Sequence, residues 1–170
     1  MSYRISGFCV ALVTLAACGA EGPTAATPAT PSFNLNGHQT NIEVILRAPG
    51  GGGAKGRVKF RQPDGGQLIE LGTSVRDLAP NTDYYLWRAT DPQDGVCDGS
   101  NWLRLGMGLV PAAISTDAGG SGSAALSRDL TGKVNVGTKF DIRFQVRDGG
   151  GNVVLESGCY QFTSGRLPTD

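Results

Sequence analysis

From Phe33 onward, apolar residues recur at every second position and almost never at helical spacing. Ile42, Val44 and Leu46 alternate with Glu43, Ile45 and Arg47. Val58 and Phe60 alternate with Arg57, Lys59 and Arg61, and Ile142, Phe144 and Val146 alternate with Asp141, Arg143, Gln145 and Arg147. Side chains of a strand point alternately to its two faces, so each run predicts a strand with one buried and one wet face. Further strands are predicted near Leu68 to Leu71, Thr73 to Leu78, Tyr84 to Thr90, Ala112 to Thr116, Ser123 to Leu130 and Val153 to Phe162. Between the runs sit Pro63-Asp64-Gly65-Gly66, Asp117-Ala118-Gly119-Gly120 and Asp148-Gly149-Gly150-Gly151-Asn152, which have the composition of hairpin turns. Only Asn101 to Val110 is expected to hold a helical turn, and Gly106 and Gly108 work against it. About seven to nine short strands with regular turns predict an all-β domain over residues 33–170, an antiparallel Greek-key β-sandwich.

One stretch has a sharper pattern. Leu78, Pro80, Thr82, Tyr84 and Leu86 fall on alternate positions as L-x-P-x-T-x-Y-x-L. This resembles the tyrosine-corner strand of fibronectin type III and related Greek-key domains. The resemblance implies that the Tyr84 hydroxyl ties back to the backbone and that Tyr84 and Leu86 face inward. In fibronectin type III domains this strand is next to last, whereas here a long stretch of chain follows it, so strict fibronectin topology is not expected. The cysteine-bearing loop followed by Thr116-Asp117-Ala118-Gly119-Gly120-Ser121-Gly122 is similar to exported bacterial domains of the CHRD and Cu/Zn superoxide-dismutase-like kind.

The N-terminal residues break the alternation. Arg4 precedes an apolar run from Ile5 to Leu15, which has the length of an export-signal core and is too short to span a bilayer. The run ends in Leu15-Ala16-Ala17-Cys18, which resembles the lipobox of bacterial lipoproteins. An ordinary secretory signal would also end in small residues, leaving Cys18 incidental. The lipobox resemblance implies a signal peptide over residues 1–17 and a diacylglyceryl thioether on Cys18, usually with a third acyl chain on its amine. One buried acyl chain holds a protein to a membrane only marginally, whereas two or more hold it stably. Gly19 is not the Asp that retains such proteins at the inner membrane, so the resemblance implies the outer membrane if the organism has two membranes. Residues 18–32 carry Pro23, Pro28 and Pro31 among Ala and Thr and read as a semi-extended tether, its reach on the order of 40 Å.

Charge and cysteine content narrow the picture. The 170 residues balance 15 basic against 15 acidic side chains, so no basic excess points to nucleic acid. With Cys9 removed in the signal and Cys18 lipidated, Cys97 and Cys159 remain and read as one disulfide in an exported chain. A redox-active pair would sit close in sequence, as in C-x-x-C, and these two do not.

The catalytic inventory is thin. His38 is the single histidine, too few for a copper-zinc or His-rich zinc site or for Ser-His-Asp machinery, and it reads as an exposed loop residue. A dismutase-like fold would therefore be metal-free. No cofactor is expected. The run from Gly50 to Gly53 lacks the Lys-Ser/Thr and the helix of a phosphate loop. Asp91, Asp94 and Asp98 share one loop and form a weak calcium candidate, although Asp is also an ordinary turn former.

Two surface features are more suggestive. Lys55, Arg57, Lys59 and Arg61 fall on one face of one strand, as do Arg143 and Arg147 on another. Unpaired, such a stripe attracts anions, including lipid phosphates. Paired, it is a solvated face meeting Glu43, Glu70 or Asp141 across strands. Tyr85, Trp87 and Trp102 are the other feature. If Tyr84 and Leu86 face inward, Tyr85 and Trp87 point outward, either as a carbohydrate or protein contact surface or packed under the Cys97 loop. These residues together suggest a lipid-anchored, non-catalytic binding or structural module of the cell envelope. Its expected contacts are the membrane, through the anchor, and a carbohydrate or protein ligand, with no nucleic acid. The alternatives are an envelope enzyme acting on glycans through carboxylates, or a metal-free dismutase-like sensor or inhibitor.

Overall fold

A computed structural model describes residues 40–63, 67–135 and 137–164. The segments expected to be an export signal and a tether lie outside the described residues, as do Cys18 and His38. Twelve strands are formed: β1 (Thr40–Arg47), β2 (Lys55–Gln62), β3 (Leu68–Arg76), β4 (Asp83–Asp91), β5 (Leu103–Arg104), β6 (Gly106–Met107), β7 (Val110–Pro111), β8 (Ile114–Ser115), β9 (Gly122–Asp129), β10 (Lys139–Asp148), β11 (Val153–Ser157) and β12 (Tyr160–Thr163). No α-helix occurs among the described residues, so the domain is all-β.

The period-two pattern sets the register. β1 and β2 pair antiparallel from Thr40 opposite Gln62 to Arg47 opposite Lys55. That register puts Ile42 beside Phe60 and Val44 beside Val58 on the inner face. A slip by one residue would turn the whole apolar set outward. Each such side chain contributes about 1.5–3 kcal/mol when fully buried, so the register is strongly held. Val44, Leu46, Val58, Leu86, Ile114, Phe144, Val146 and Leu155 are all essentially inaccessible and form the centre of the core.

The strands form one nearly closed sheet. From β1 the hydrogen bonds run through β2 and β3 to β9, and on the other side through β11 and β10 to β4. β4 and β9 do not pair with each other. The chain from Leu103 to Thr116 runs between them instead. β5 and β8 pair with β4, Met107 of β6 pairs parallel with Ser127 of β9, and Thr116 bridges to Gly122. Gly122 is required at this seam, because a Cβ there would stand 2.5 Å from the Ser115 carbonyl oxygen.

Three expectations change. No helical turn forms between Asn101 and Val110. The Leu105 N–H donates to Leu86 O at 2.8 Å and the Gly108 N–H donates to Ser127 O at 3.0 Å, so the open edges of β4 and β9 take these backbone groups. Tertiary demand for edge partners outweighs local preference here. The segments 68–71 and 73–78 are one strand, because Gly72 stays in the ladder between Lys59 and Ala125. The segment 153–162 divides into β11 and β12 at Gly158 and Cys159, and both halves lie on the same edge of β10.

The corner before β4 is tied by side chains. The Tyr84 hydroxyl accepts a hydrogen bond from the Ala79 N–H at 3.1 Å, and Tyr84 itself is buried. Thr116 Oγ1 lies 2.7 Å from Ala79 O and accepts from the Thr82 N–H at 3.0 Å. One turn of chain is thereby fixed to the seam.

Cys97 and Cys159 form a disulfide across a sequence separation of 62 residues. It joins the loop after β4 to the break between β11 and β12. Replacing both cysteines by Ser is expected to lower unfolding stability by up to about 4 kcal/mol, from the loop entropy returned to the unfolded chain. A urea midpoint unchanged from that of the oxidised protein would contradict this. Tyr84→Phe leaves the Ala79 N–H without its acceptor and should cost about 1–3 kcal/mol in the same measurement.

Candidate functional site

Alternation along β4 sends Tyr84 and Leu86 into the core and Tyr85 and Trp87 to the opposite face. On β10 the same face carries Arg143, Gln145 and Arg147, with Gln145 opposite Trp87 and Arg147 opposite Tyr85. The closing chain adds Trp102 and, through β5, Arg104 opposite Trp87. Three elements far apart in sequence thus place three aromatic rings and three guanidinium groups on one face.

The groups stack in alternation. The Arg147 guanidinium carbon lies 4.9 Å from the Trp87 ring centre and 4.7 Å from that of Trp102. The Arg143 guanidinium carbon also lies 4.9 Å from the Trp102 ring centre, and that of Arg104 sits 3.3 Å over the Tyr85 ring centre. Such cation–π contacts contribute about 0.5–1 kcal/mol when exposed and about 2 when desolvated. Gln145 Oε1 accepts from Arg147 Nε at 3.0 Å and Nη2 at 2.6 Å, and Arg143 Nη2 donates to Gly99 O at 3.1 Å. Burial, and then the nearby charge of Arg143, hold the Arg147 guanidinium below its ordinary pKa.

Among the described residues, none of these three arginines forms an ion pair, since the salt bridges found join Arg57 to Glu43 and Arg61 to Glu70. Trp87 Nε1, Arg104 Nε and Arg143 Nε are buried donors with no acceptor among the described residues. Each such donor costs about 1–3 kcal/mol. The layer is therefore not arranged for stability alone, and local costs of this kind gather where a surface has a task. Its chemistry is specific. The rings offer apolar faces to stack on, and the guanidinium edges offer N–H donors to an anion.

The other candidates are placed differently. Lys55, Arg57, Lys59 and Arg61 all lie exposed on the outer face of β2. Arg57 and Arg61 approach Glu43 and Glu70 at 3.9 Å, and Arg57 Nε donates to Ser74 Oγ at 3.1 Å. Pairs this exposed are worth about 0–1 kcal/mol. Asp141 meets none of these cations. It is fully buried under the loop after β4, where its Oδ2 accepts from the N–H groups of Asp94 at 2.9 Å and Gly95 at 2.7 Å. Asp91 lies opposite Asp141 in the strand register and is also buried. Asp94 Oδ1 accepts from the Val96 N–H, which is ordinary turn chemistry. Asp91, Asp94 and Asp98 do not gather, and among the described residues no group of three His, Cys, Asp or Glu is placed to hold a metal.

Arg104 and Gln145 were not singled out by sequence reasoning. The signal for Arg104 was its place two residues after Trp102, but that signal needs the closing chain to be extended rather than helical. Arg147→Gln should remove the guanidinium between Trp87 and Trp102, lower stability by about 1–2 kcal/mol and shift the tryptophan emission. An emission spectrum identical to that of the unaltered protein would show that the stack is not formed in solution.

No protein-family model matches this chain, and no curated protein is significantly similar to it.

Proposed function

We propose that this chain is a lipid-anchored, non-catalytic binding module of the bacterial cell envelope, held at Cys18 and recognising an acidic carbohydrate on the outward face of β4 and β10. In this reading its strands make a Greek-key β-sandwich, in keeping with the Leu78–Leu86 pattern. The observation that carries the proposal is the layer of Tyr85, Trp87 and Trp102 interleaved with Arg104, Arg143 and Arg147. Sugar rings stack their apolar C–H faces on aromatic side chains, which bury much area at little entropic cost. A uronate carboxylate or a sulfate accepts hydrogen bonds from guanidinium edges, which form the stronger, charge-assisted kind. A neutral glycan would use only half of this chemistry. Arg143 and Arg147, placed in sequence on a basic strand face, serve here together with the aromatic residues.

The anchor rests on Leu15-Ala16-Ala17-Cys18, and the tether of residues 18–32 is long enough to hold the domain clear of headgroups. Cys18→Ala should move the protein from the membrane pellet to the soluble fraction of its host, and a variant that stays in the pellet would overturn the lipid attachment. For the ligand, affinity electrophoresis in polygalacturonate and in dextran separates charge from stacking. Retardation by polygalacturonate alone is expected, weakened by added salt and reduced about tenfold or more in Arg147→Gln or Trp102→Ala. Equal retardation by both polymers, or by neither, would remove the acidic-glycan reading.

A further inference from the structure

The inner face of the sheet carries a second basic feature, unrelated to the outer one. Continuing the inward alternation of Tyr84 and Leu86 along β4 brings Arg88 and Thr90 to the interior. On β9 the inward set of Ala124 and Leu126 continues to Arg128. Both arginines line a cavity of about 280 Å³ at this end of the sheet. Its remaining wall is mainly apolar, with Phe60, Leu71, Leu105, Phe140 and Phe144 prominent.

Two guanidinium groups at an apolar cavity need an explanation. Arg88 Nη1 donates to Thr90 Oγ1 at 3.0 Å, and Arg128 Nη1 donates to Gly108 O at 3.2 Å. Each guanidinium has five N–H donors, so these two bonds leave most of them without an acceptor among the described residues. Among the described residues, neither forms an ion pair, and Asp91, the one carboxylate in the cavity wall, pairs with neither. Burial, and then the charge of Arg128, lower the pKa of Arg88. Like charges gathered in a partly buried site repel, and a bound anion would turn that repulsion into attraction. The apolar wall asks for hydrocarbon, and the arginines ask for an anionic oxygen.

We infer that this cavity binds a single-chain amphiphile, its alkyl chain among Phe60, Leu71, Leu105, Phe140 and Phe144 and its anionic head between Arg88 and Arg128. At roughly 30 Å³ for each water-sized group, the volume holds on the order of nine or ten heavy atoms. That points to a medium chain rather than a full membrane lipid. The head is a carboxylate or a phosphate, both of which match guanidinium geometry.

Isothermal titration of the purified full chain with hexanoate, hexyl phosphate and hexanol, which match the cavity in size, tests this without altering the protein. Saturable binding of one molecule per chain is expected for at least one of the two anions, with hexanol weaker by about tenfold or more, the worth of a charge-assisted bond. Whichever anion binds tighter identifies the head. Binding should also weaken about tenfold in Arg88→Gln and in Arg128→Gln, each checked for an unchanged urea midpoint. Should either variant lose its fold, the comparison of anions with hexanol on the unaltered chain decides alone. No saturable binding of either anion, or hexanol binding as tightly as both, would overturn the inference. Because hexanoate lacks a sugar ring, its failure would leave the acidic-glycan face untouched.

Discussion

The structure depends on how the free edges of β4 and β9 are satisfied. Each strand has one edge covered by a long partner, β10 for β4 and β3 for β9. The other edges face one another across a space that the stretch from Leu103 to Thr116 crosses. Unpaired strand edges expose rows of N–H and C=O groups and invite association with other chains. Here they are met by three very short strands, β5 and β8 on β4 and β6 on β9, and by single bonds such as Leu105 N–H to Leu86 O. That same stretch delivers Leu105 and Ile114 to the core and Arg104 to the outer face. Closure, core and site all follow from one segment with little regular structure of its own.

The parts of the fold legible in the sequence were those where alternation is long and one face is fully buried. Ile42–Leu46, Val58–Phe60 and Ile142–Val146 show it, since each turns a period of two directly into a core face. The disulfide was legible by elimination, and the outward direction of Tyr85 and Trp87 followed from the inward direction of Tyr84. The closing segment was not legible. Its strands are two residues long, too short to carry a period, and its conformation is fixed by partners distant in the chain. Asp141 was hidden for a related reason. Alternation places it on the outer face, and only the loop after β4, folding back, buries it.

The candidate surface was half legible. Aromatic residues and arginines could each be assigned to an outward face, but their interleaving depends on Arg147 standing between rings from two separate elements. That pairing arises from sheet register and loop path together. The interior arginines were obscured differently. Arg88 and Arg128 sit at the ends of otherwise apolar alternations, where a charged residue ordinarily marks the edge of the core rather than its lining.

The disulfide has a consequence for timing. Cys97 belongs to the loop that roofs Asp141 and leads to Trp102, while Cys159 directly precedes β12, whose Phe162 packs against Phe60 and Phe140. One covalent link therefore holds both the approach to the outer face and the strand behind the inner cavity wall. In a reducing compartment that link is absent, and both surfaces lose a shared brace at once. Oxidation of that single pair therefore fastens both regions in one step.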